Sequence, residues 1–241
     1  MKTKLLLLVS GLLVAVSTLA STATVFSNDS KNSTIIELYT SQGCSSCPPA
    51  ESWLGKFKDD PRLWKTLFPL AFHVDYWDYI GWKDIYAQPA FTQRQKNYKK
   101  ENRLSSIYTP GFVINGKEWR GWFSRKSLPA KETSGKLTAR LNDRSLTANY
   151  LAEGLQAYEL TLNAAIVATG IKTAVKRGEN SGRMLPQDFT VLMYASEHST
   201  TSQWKMILPE VSGDDAERLA LVVWISATDS QQPLQIAGGW L

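Results

Sequence analysis

The chain's only two cysteines, Cys44 and Cys47, stand three positions apart in the segment "ELYTSQGCSSCPPAESWLGKF". An apolar run that is typical of a buried strand precedes them, and a helix is predicted to begin at Pro48. The start of a helix presents free backbone N–H groups and the positive end of the helix dipole, and both stabilise a thiolate. We therefore interpret Cys44 as a candidate nucleophile. Cys47, one turn further, is the candidate thiol that resolves a mixed disulfide formed at Cys44.

Two other uses of this cysteine pair remain open at this stage. A permanent Cys44–Cys47 disulfide would close a very short loop and stabilise the fold by about 2 kcal/mol at best. Two thiolates can also bind Cu(I) or form half of a zinc site, but a closed zinc site needs four ligands. The chain has only two histidines, of which His73 lies in a predicted core strand and His198 in a distant turn. We predict a redox pair with no metal and no other cofactor.

The amino terminus indicates where the protein acts. Lys2 and Lys4 precede an apolar run over residues 5–19, and small residues follow, a pattern that predicts a secretory signal peptide over residues 1–23. The apolar run is shorter than the roughly 20 residues that a membrane-spanning helix needs. We therefore expect an exported protein, periplasmic or secreted, without stable membrane insertion after the signal peptide is removed.

Charge indicates which partners to exclude. Loss of Lys2 and Lys4 lowers the formal net charge from +5 to +3, and the remaining basic residues are spread along the chain. A nucleic-acid-binding protein would gather such residues into a patch or stripe. We expect no nucleic-acid partner.

Strand-like and helix-like segments alternate before residue 144. The runs "STIIELYT" and "PLAFHVDYW" are continuous and apolar, as in strands covered on both faces. The pattern over residues 89–102 predicts a surface helix, and Asn115-Gly116 predicts a hairpin turn. Residues 124–142 are predicted to be moderately helical. This order indicates an α/β domain with a mixed sheet over residues 34–144.

The sequence changes in character after residue 144. Short strand-like runs separated by turns predict an antiparallel, β-rich, sandwich-like domain over residues 145–241. Residues 24–33 are polar, and we expect them to form a flexible tail between the signal peptide and the first strand.

Four motifs resemble a known family when they are taken in order: "TIIELYTSQGCSSCPPAE", "AFHVDYWDYIGWKD", "YTPGFVING" and "RGENSGRML". They are similar to the DUF1223 family of exported proteins, which have a thioredoxin-like fold and no assigned function. The resemblance implies that the domain over residues 34–144 is thioredoxin-like. In that wider superfamily a cis-proline faces the cysteine pair, so the resemblance implies that Pro110 is cis and that Thr109 lines the site.

The motif "HVDYWDYIGW" supplies further candidates for the site. It follows a predicted strand, and ligands bind outside the carboxyl ends of strands in open α/β sheets, where Cys44 should also lie. Tyr76, Trp77 and Trp82 are therefore predicted to form a substrate rim, and Asp75 is a candidate proton acceptor for Cys47. The alternative is a tightly packed loop whose carboxylates cap the next helix.

The segment "KRGENSGR", residues 176–183, is the last candidate. Arg177 and Arg183 could bind a carboxylate or a partner loop from a turn between two strands, or the turn could be a solvated hairpin loop with an internal ion pair. We predict an exported thiol–disulfide oxidoreductase that acts on a protein or small-thiol substrate. The alternative is a non-enzymatic protein that binds Cu(I) or another ligand on the same scaffold.

Overall fold

The computed structural model describes residues 23–124, 126–152, 154 and 159–241. The predicted signal peptide, apart from its last residue, lies outside this part of the chain. No helix within these ranges combines the length and the apolar character needed to cross a membrane.

The described chain is mixed α/β, with many strands and few helices. The helices are α1 (Pro48–Gly55) and α2 (Pro89–Lys100), with short 3₁₀ turns at Lys56–Asp59 and Asp78–Ile80. The strands are β1 (Thr24–Asn28), β2 (Thr34–Thr40), β3 (Leu67–His73), β4 (Gly111–Ile114), β5 (Lys117–Trp119), β6 (Lys136–Asn142), β7 (Ser145–Leu151), β8 (Leu160–Thr169), β9 (Ile171–Ala174), β10 (Met184–Gln187), β11 (Thr190–Ser199), β12 (Gln203–Ile207), β13 (Arg218–Ala227) and β14 (Pro233–Trp240).

An eight-stranded mixed sheet crosses the boundary that the sequence predicts at residue 144. Its order is β14-β13-β8-β11-β3-β2-β4-β5. β2 and β11 run parallel to β3 on either side of it, with Thr190 opposite Ala71. The division into domains at 34–144 and 145–241 therefore differs from the observed sheet. At this junction the N–H of Ala71 donates to the carbonyl of Phe189 at 2.7 Å, so the contact between β3 and the start of β11 is short.

A second, four-stranded antiparallel sheet, in the order β1-β6-β7-β12, packs on the carboxyl-terminal strands. This agrees with a sandwich-like arrangement, but two local predictions are wrong. Residues 24–33 are not a flexible tail, because β1 pairs with β6 and buries Phe26 between the sheets. The prediction of a helix over residues 124–142 is wrong at its carboxyl end, which forms β6. There Leu137, Ala139 and Leu141 are buried at the period of two that defines a strand.

Predictions that rest on local signals are confirmed. Helix α2 begins with Pro89 at its first position, and β4 and β5 form a hairpin. Asn115 and Gly116 have φ angles of +51° and +80°, as this turn requires. The loop over residues 41–47, which we call the cysteine loop, joins the end of β2 to the start of α1. It lies beside the end of β3 because β2 and β3 are parallel and in register, with Thr40 opposite His73.

Candidate functional site

The two cysteines form a disulfide at the start of α1. Cys47 is the residue that caps the helix, and its backbone carbonyl accepts hydrogen bonds from the N–H groups of Ala50 and Glu51. Prolines occupy the first two helical positions, where a missing N–H group costs no intrahelical hydrogen bond. Cys44 and Cys47 are both 0% exposed, whereas Ser45 and Ser46 between them are exposed. The pair is therefore at the predicted place but is covered.

Trp77 connects the cysteine loop to Thr109. The Thr109–Pro110 peptide bond is cis, as the family resemblance implies. The indole N–H of Trp77 donates to the Thr109 hydroxyl at 2.7 Å. Trp77 also packs against the cysteine loop: a Cβ atom added to Gly43 would lie 3.2 Å from the Cβ of Trp77. Its side chain thus links the cysteine loop to the segment that contains the cis peptide bond.

The other aromatic residues of the predicted rim also hydrogen-bond to the protein. The hydroxyl of Tyr76 donates to Gln95 at 3.1 Å, and burial raises the pKa of Tyr76 to about 12. The indole of Trp82 donates to the side-chain oxygen of Gln42 at 2.9 Å. Tyr79 is the most exposed aromatic residue of this segment, at 83% exposure. It was not among the residues predicted for the substrate rim.

Asp75 lies at the end of β3 and is tied to helix α2. Its carboxylate accepts a hydrogen bond from the hydroxyl of Thr92 at 2.6 Å, and its backbone N–H donates to the same hydroxyl at 3.2 Å. This contact joins the motif to the helix that follows it, as in the alternative interpretation of a packed loop.

A different carboxylate, Glu51, lies on the helix of the cysteines. It follows Cys47 by four residues, so the two side chains share one face of α1. Glu51 is 6% exposed and accepts a hydrogen bond from the hydroxyl of Thr40 at 2.6 Å. Burial raises the pKa of Glu51. Sequence reasoning missed this residue, although the four-residue spacing from Cys47 on a buried helix face was a usable signal.

Gln42, in the cysteine loop, is the centre of a buried polar network. Its backbone N–H donates to the carboxylate of Asp84 at 2.8 Å, and its side-chain amide donates to Thr173 and Gln187 at 3.1 Å each. The same carboxylate of Asp84 bonds to Nδ1 of His73 at 2.7 Å, and both residues are 1% exposed.

The His73–Asp84 contact shifts the pKa of both groups. Burial is the largest single influence on the pKa of His73 and lowers it, but the carboxylates of Asp84 and Glu51 together outweigh burial and raise it. Burial would raise the pKa of Asp84, but the attraction of His73 and the hydrogen bonds from the backbone N–H groups of Gln42 and Tyr86 together lower it. His73 is therefore a buried histidine with a partner in the core. His198 belongs elsewhere, since its ring bonds to Thr161 on β8.

Residues 176–183, between β9 and β10, fold over the cysteine loop, and we call them the clasp loop. The side-chain amide of Asn180 donates to the backbone carbonyls of Gln42 and Cys44, both at 3.0 Å. The carboxylate of Glu179 accepts from the backbone N–H of Ser45 at 3.1 Å. Within this segment it is Asn180 and Glu179 that contact the cysteine loop, whereas the binding role predicted for Arg177 and Arg183 stays a prediction.

The two arginines predicted for the substrate rim differ in position. Arg183 is exposed, and its guanidinium donates to the side-chain oxygen of Asn180 at 2.7 Å. Arg177 is exposed near the start of the clasp loop. The backbone turns at Gly178, whose φ is +74° and where an added Cβ atom would lie 3.3 Å from the Cβ of Trp82. A side chain at this position would strain the turn and press on Trp82.

Within the described residues, no group of three or more histidine, cysteine, aspartate or glutamate side chains is arranged to hold a metal ion. The chemistry that these residues offer is that of a covered disulfide, a buried carboxylate and a hydrogen-bonded network behind them.

The chain is similar to one protein family and to two solved structures. Residues 35–226 match the family described as protein of unknown function (DUF1223). The fold is similar to the crystal structure of protein AGR_C_4864 from Agrobacterium tumefaciens, with a TM-score of 0.57 and 22% identity over 86% of this chain and 93% of that one. It is also similar to HBP35 of Porphyromonas gingivalis, with a TM-score of 0.54 and 13% identity over 89% of this chain and 76% of that one. None of the curated proteins matched the chain.

Proposed function

We propose that this chain, which belongs to the DUF1223 family of proteins of unknown function, catalyses thiol–disulfide exchange through Cys44 and Cys47. The observation that carries the proposal is the disulfide at the start of α1, whose cysteine loop is linked through Trp77 to Thr109, the residue before the cis-proline Pro110. The order of β2, cysteine loop, α1, parallel β3, α2 and the β4–β5 hairpin supports a thioredoxin-like arrangement. We further propose that the protein acts after export, on a protein or small-thiol substrate.

The exchange proceeds in two balanced steps. A substrate thiolate attacks the sulfur of Cys44, a mixed disulfide forms, and Cys47 leaves as a thiolate that takes up a proton. A second substrate thiolate then attacks the substrate sulfur of the mixed disulfide, and Cys44 leaves as a thiolate. Two electrons pass from the substrate to the cysteine pair, and the substrate gains a disulfide. The reverse sequence, with Cys47 attacking the mixed disulfide, reduces a substrate disulfide.

Glu51 is the group we propose as proton carrier for Cys47. A carboxyl whose pKa is raised by burial holds a proton closer to neutral pH than an exposed glutamate does. It can therefore give a proton to Cys47 when that thiolate leaves and accept it when Cys47 attacks. The hydroxyl of Thr40 orients the carboxyl at 2.6 Å.

Access to the sulfur of Cys44 requires local movement. A thiolate must approach this sulfur directly, and both cysteines are 0% exposed. Trp77, which bridges the cysteine loop and Thr109, is the side chain we propose must shift. Local openings of this kind occur in folded proteins without global unfolding.

The test is a redox titration of the purified protein in defined glutathione buffers. We expect the pair to cycle reversibly between dithiol and disulfide. Cys47→Ser should accumulate mixed disulfides on Cys44, and Cys44→Ser, the matched control, should not. Failure of the wild type to cycle at any accessible potential would refute the proposal and favour a permanent structural bridge.

Copper analysis separates this function from the alternative of a Cu(I)-binding protein. The reduced wild type and Cys44→Ser are each loaded with Cu(I) and then dialysed against copper-free buffer under anaerobic conditions. We expect both proteins to lose their copper equally. Stoichiometric copper that the wild type retains and Cys44→Ser loses would favour metal binding.

A further inference from the structure

Asn180 is a buried amide in the middle of an exposed loop. It is 0% exposed, while its neighbours Glu179 and Ser181 face solvent. Its side chain makes three hydrogen bonds, since the amide nitrogen donates to two backbone carbonyls and the oxygen accepts from Arg183. Burial of an amide is costly unless it is hydrogen-bonded, so the choice of partners is informative.

Those partners lie on either side of Gly43 in the cysteine loop. The amide of Asn180 holds the carbonyls of Gln42 and Cys44 at 3.0 Å each. The neighbouring carboxylate of Glu179 holds the backbone N–H of Ser45 at 3.1 Å. The clasp loop therefore binds the backbone of the cysteine loop at three points, including the backbone of the proposed nucleophile.

The clasp loop also touches the segment over residues 77–82, which packs on the cysteine loop at Gly43. A Cβ atom added to Gly178 would lie 3.3 Å from the Cβ of Trp82 and 3.5 Å from the backbone oxygen of Ile80. Ile80 in turn approaches Gly43, where an added Cβ atom would lie 3.3 Å from its Cδ1. If the cysteine loop moves away from Ile80 and from the clasp loop, the hydrogen bonds of Asn180 with the carbonyls of Gln42 and Cys44 must break.

We propose that Asn180 is a positioning residue that holds the Cys44–Cys47 disulfide in its covered, oxidised arrangement and so controls how readily thiols reduce it. The inference rests on the proposed function. It assigns the motif of residues 176–183 a role in regulating the redox pair from outside the segment that contains the cysteines. Release of Asn180 from the carbonyls of Gln42 and Cys44 accompanies the shift proposed for Trp77, and both precede attack on Cys44.

The experiment measures how fast dithiothreitol reduces the native disulfide in wild type and in Asn180→Asp. The substitution keeps the side chain's shape but replaces the amide donors with carboxylate oxygens that face two carbonyl oxygens. Loss of two such hydrogen bonds changes an opening equilibrium by about tenfold or more. We expect reduction to be faster by about this factor, and the equilibrium with glutathione to shift towards the dithiol.

Gln235→Glu is the matched control. Gln235 is also a fully buried amide, and its nitrogen also donates to two backbone carbonyls, those of Ser30 and Gly135, at 3.2 and 2.8 Å. Its replacement removes the same type of contact away from the cysteine loop. We expect Gln235→Glu to lower the midpoint of thermal unfolding and to leave the rate of reduction unchanged.

Arg183→Ala provides a second variant if Asn180→Asp does not fold. It removes the guanidinium that holds the oxygen of Asn180 and leaves the amide donors in place, so we expect a smaller acceleration, of about threefold. A folded Asn180→Asp that is reduced at the wild-type rate or more slowly would overturn the inference. So would Arg183→Ala at the wild-type rate if it is the only variant that folds.

Failure of the proposed function has a different signature. A wild type that dithiothreitol reduces but that never returns to the disulfide in glutathione buffers refutes exchange activity. In that case the ratio of reduction rates between Asn180→Asp and wild type still measures how far the clasp loop slows reduction of the disulfide.

Discussion

Two buried polar clusters in this fold use similar residue types in opposite ways. The arginine cluster centres on Arg94 of α2 and Glu37 of β2, and the cysteine-side cluster contains Glu51, His73 and Asp84. Arg94 binds Glu37 through two hydrogen bonds of 2.8 and 2.9 Å. The same carboxylate accepts from the hydroxyls of Tyr98 and Tyr39 at 2.6 and 2.9 Å. Every charge in the arginine cluster is met by an opposite charge at close range.

Aromatic rings complete the arginine cluster. The guanidinium carbon of Arg94 lies 5.0–5.6 Å from the ring centres of four aromatic residues, Phe72, Tyr98, Tyr194 and Trp224. Such contacts stabilise a cation that is removed from water. The cluster joins α2 to strands from both halves of the chain, and its role is structural.

The cysteine-side cluster is compensated less completely. Glu51 accepts its hydrogen bond from a neutral hydroxyl, that of Thr40, and burial raises its pKa. The charges of His73 and Asp84 act on Glu51 with opposite signs, with that of His73 the larger. Burial disfavours the charged form of a carboxyl, and without a strong partner to offset this cost the group is readily protonated. The two clusters therefore differ in how fully their buried charges are compensated, although both are buried.

The largest effect is expected from Arg94→Met, which leaves the charge of Glu37 buried and unpaired. We expect the free energy of unfolding to fall by about 3–5 kcal/mol in denaturant titrations. The double variant Arg94→Met with Glu37→Gln should recover part of this loss, because no charge then remains buried. A loss below about 1 kcal/mol in the single variant would show that the arginine cluster is not the structural centre described.

Glu51→Gln tests the cysteine-side cluster. We expect reduction of a mixed disulfide on Cys44 to slow by about 10²-fold, because the proton carrier for Cys47 is lost. Stopped-flow measurement of the release of a chromogenic thiol would show it. Because Asp75 was the sequence-based candidate, Asp75→Asn is the natural comparison.

The same variant should gain stability at neutral pH. The pKa of Glu51 is raised in the folded protein, so the folded state favours the protonated form, and its penalty appears as pH rises above the ordinary pKa of glutamate. Glu51→Gln should therefore unfold at a higher temperature than the wild type at pH 7, and the difference should vanish at acid pH. Equal midpoints at pH 7 would contradict the unfavourable burial of this carboxylate.

The His73–Asp84 pair should give the protein a pH-dependent stability on the alkaline side. The pKa of His73 is raised in the folded state, so the contribution of the pair is fully present below the ordinary pKa of histidine and is lost as pH rises through the raised value. Asp84→Asn should flatten the fall in unfolding midpoint above about pH 6.5. A fall that persists unchanged in Asp84→Asn would assign it to other groups.

The smallest effect is expected from Asp75→Asn. It weakens the hydrogen bond with Thr92 and should cost about 0.5–1.5 kcal/mol of stability, while the exchange rate stays within about twofold of the wild type. The result that would reverse the assignment is an exchange defect larger in Asp75→Asn than in Glu51→Gln, since Asp75 would then be the proton carrier.

Sequence reasoning succeeded where the signal was local. The start of α1 at Pro48, the helix from Pro89 and the turn at Asn115-Gly116 depend on residues within a few positions. It failed for β1, whose burial of Phe26 requires a partner strand more than a hundred residues away. It also placed a domain boundary at residue 144 because the pairing of β3 with β11 leaves no trace in either strand alone.

The sequence by itself determined the identity and spacing of Cys44 and Cys47 and their place at the start of a helix, since these follow from short-range geometry. Only the tertiary structure decided that the disulfide is covered, that Glu51 is buried, and that Asn180 holds the carbonyl of Cys44 from 136 residues away. Burial and hydrogen-bond partners depend on which distant segments the sheet brings together, and no local pattern encodes that choice.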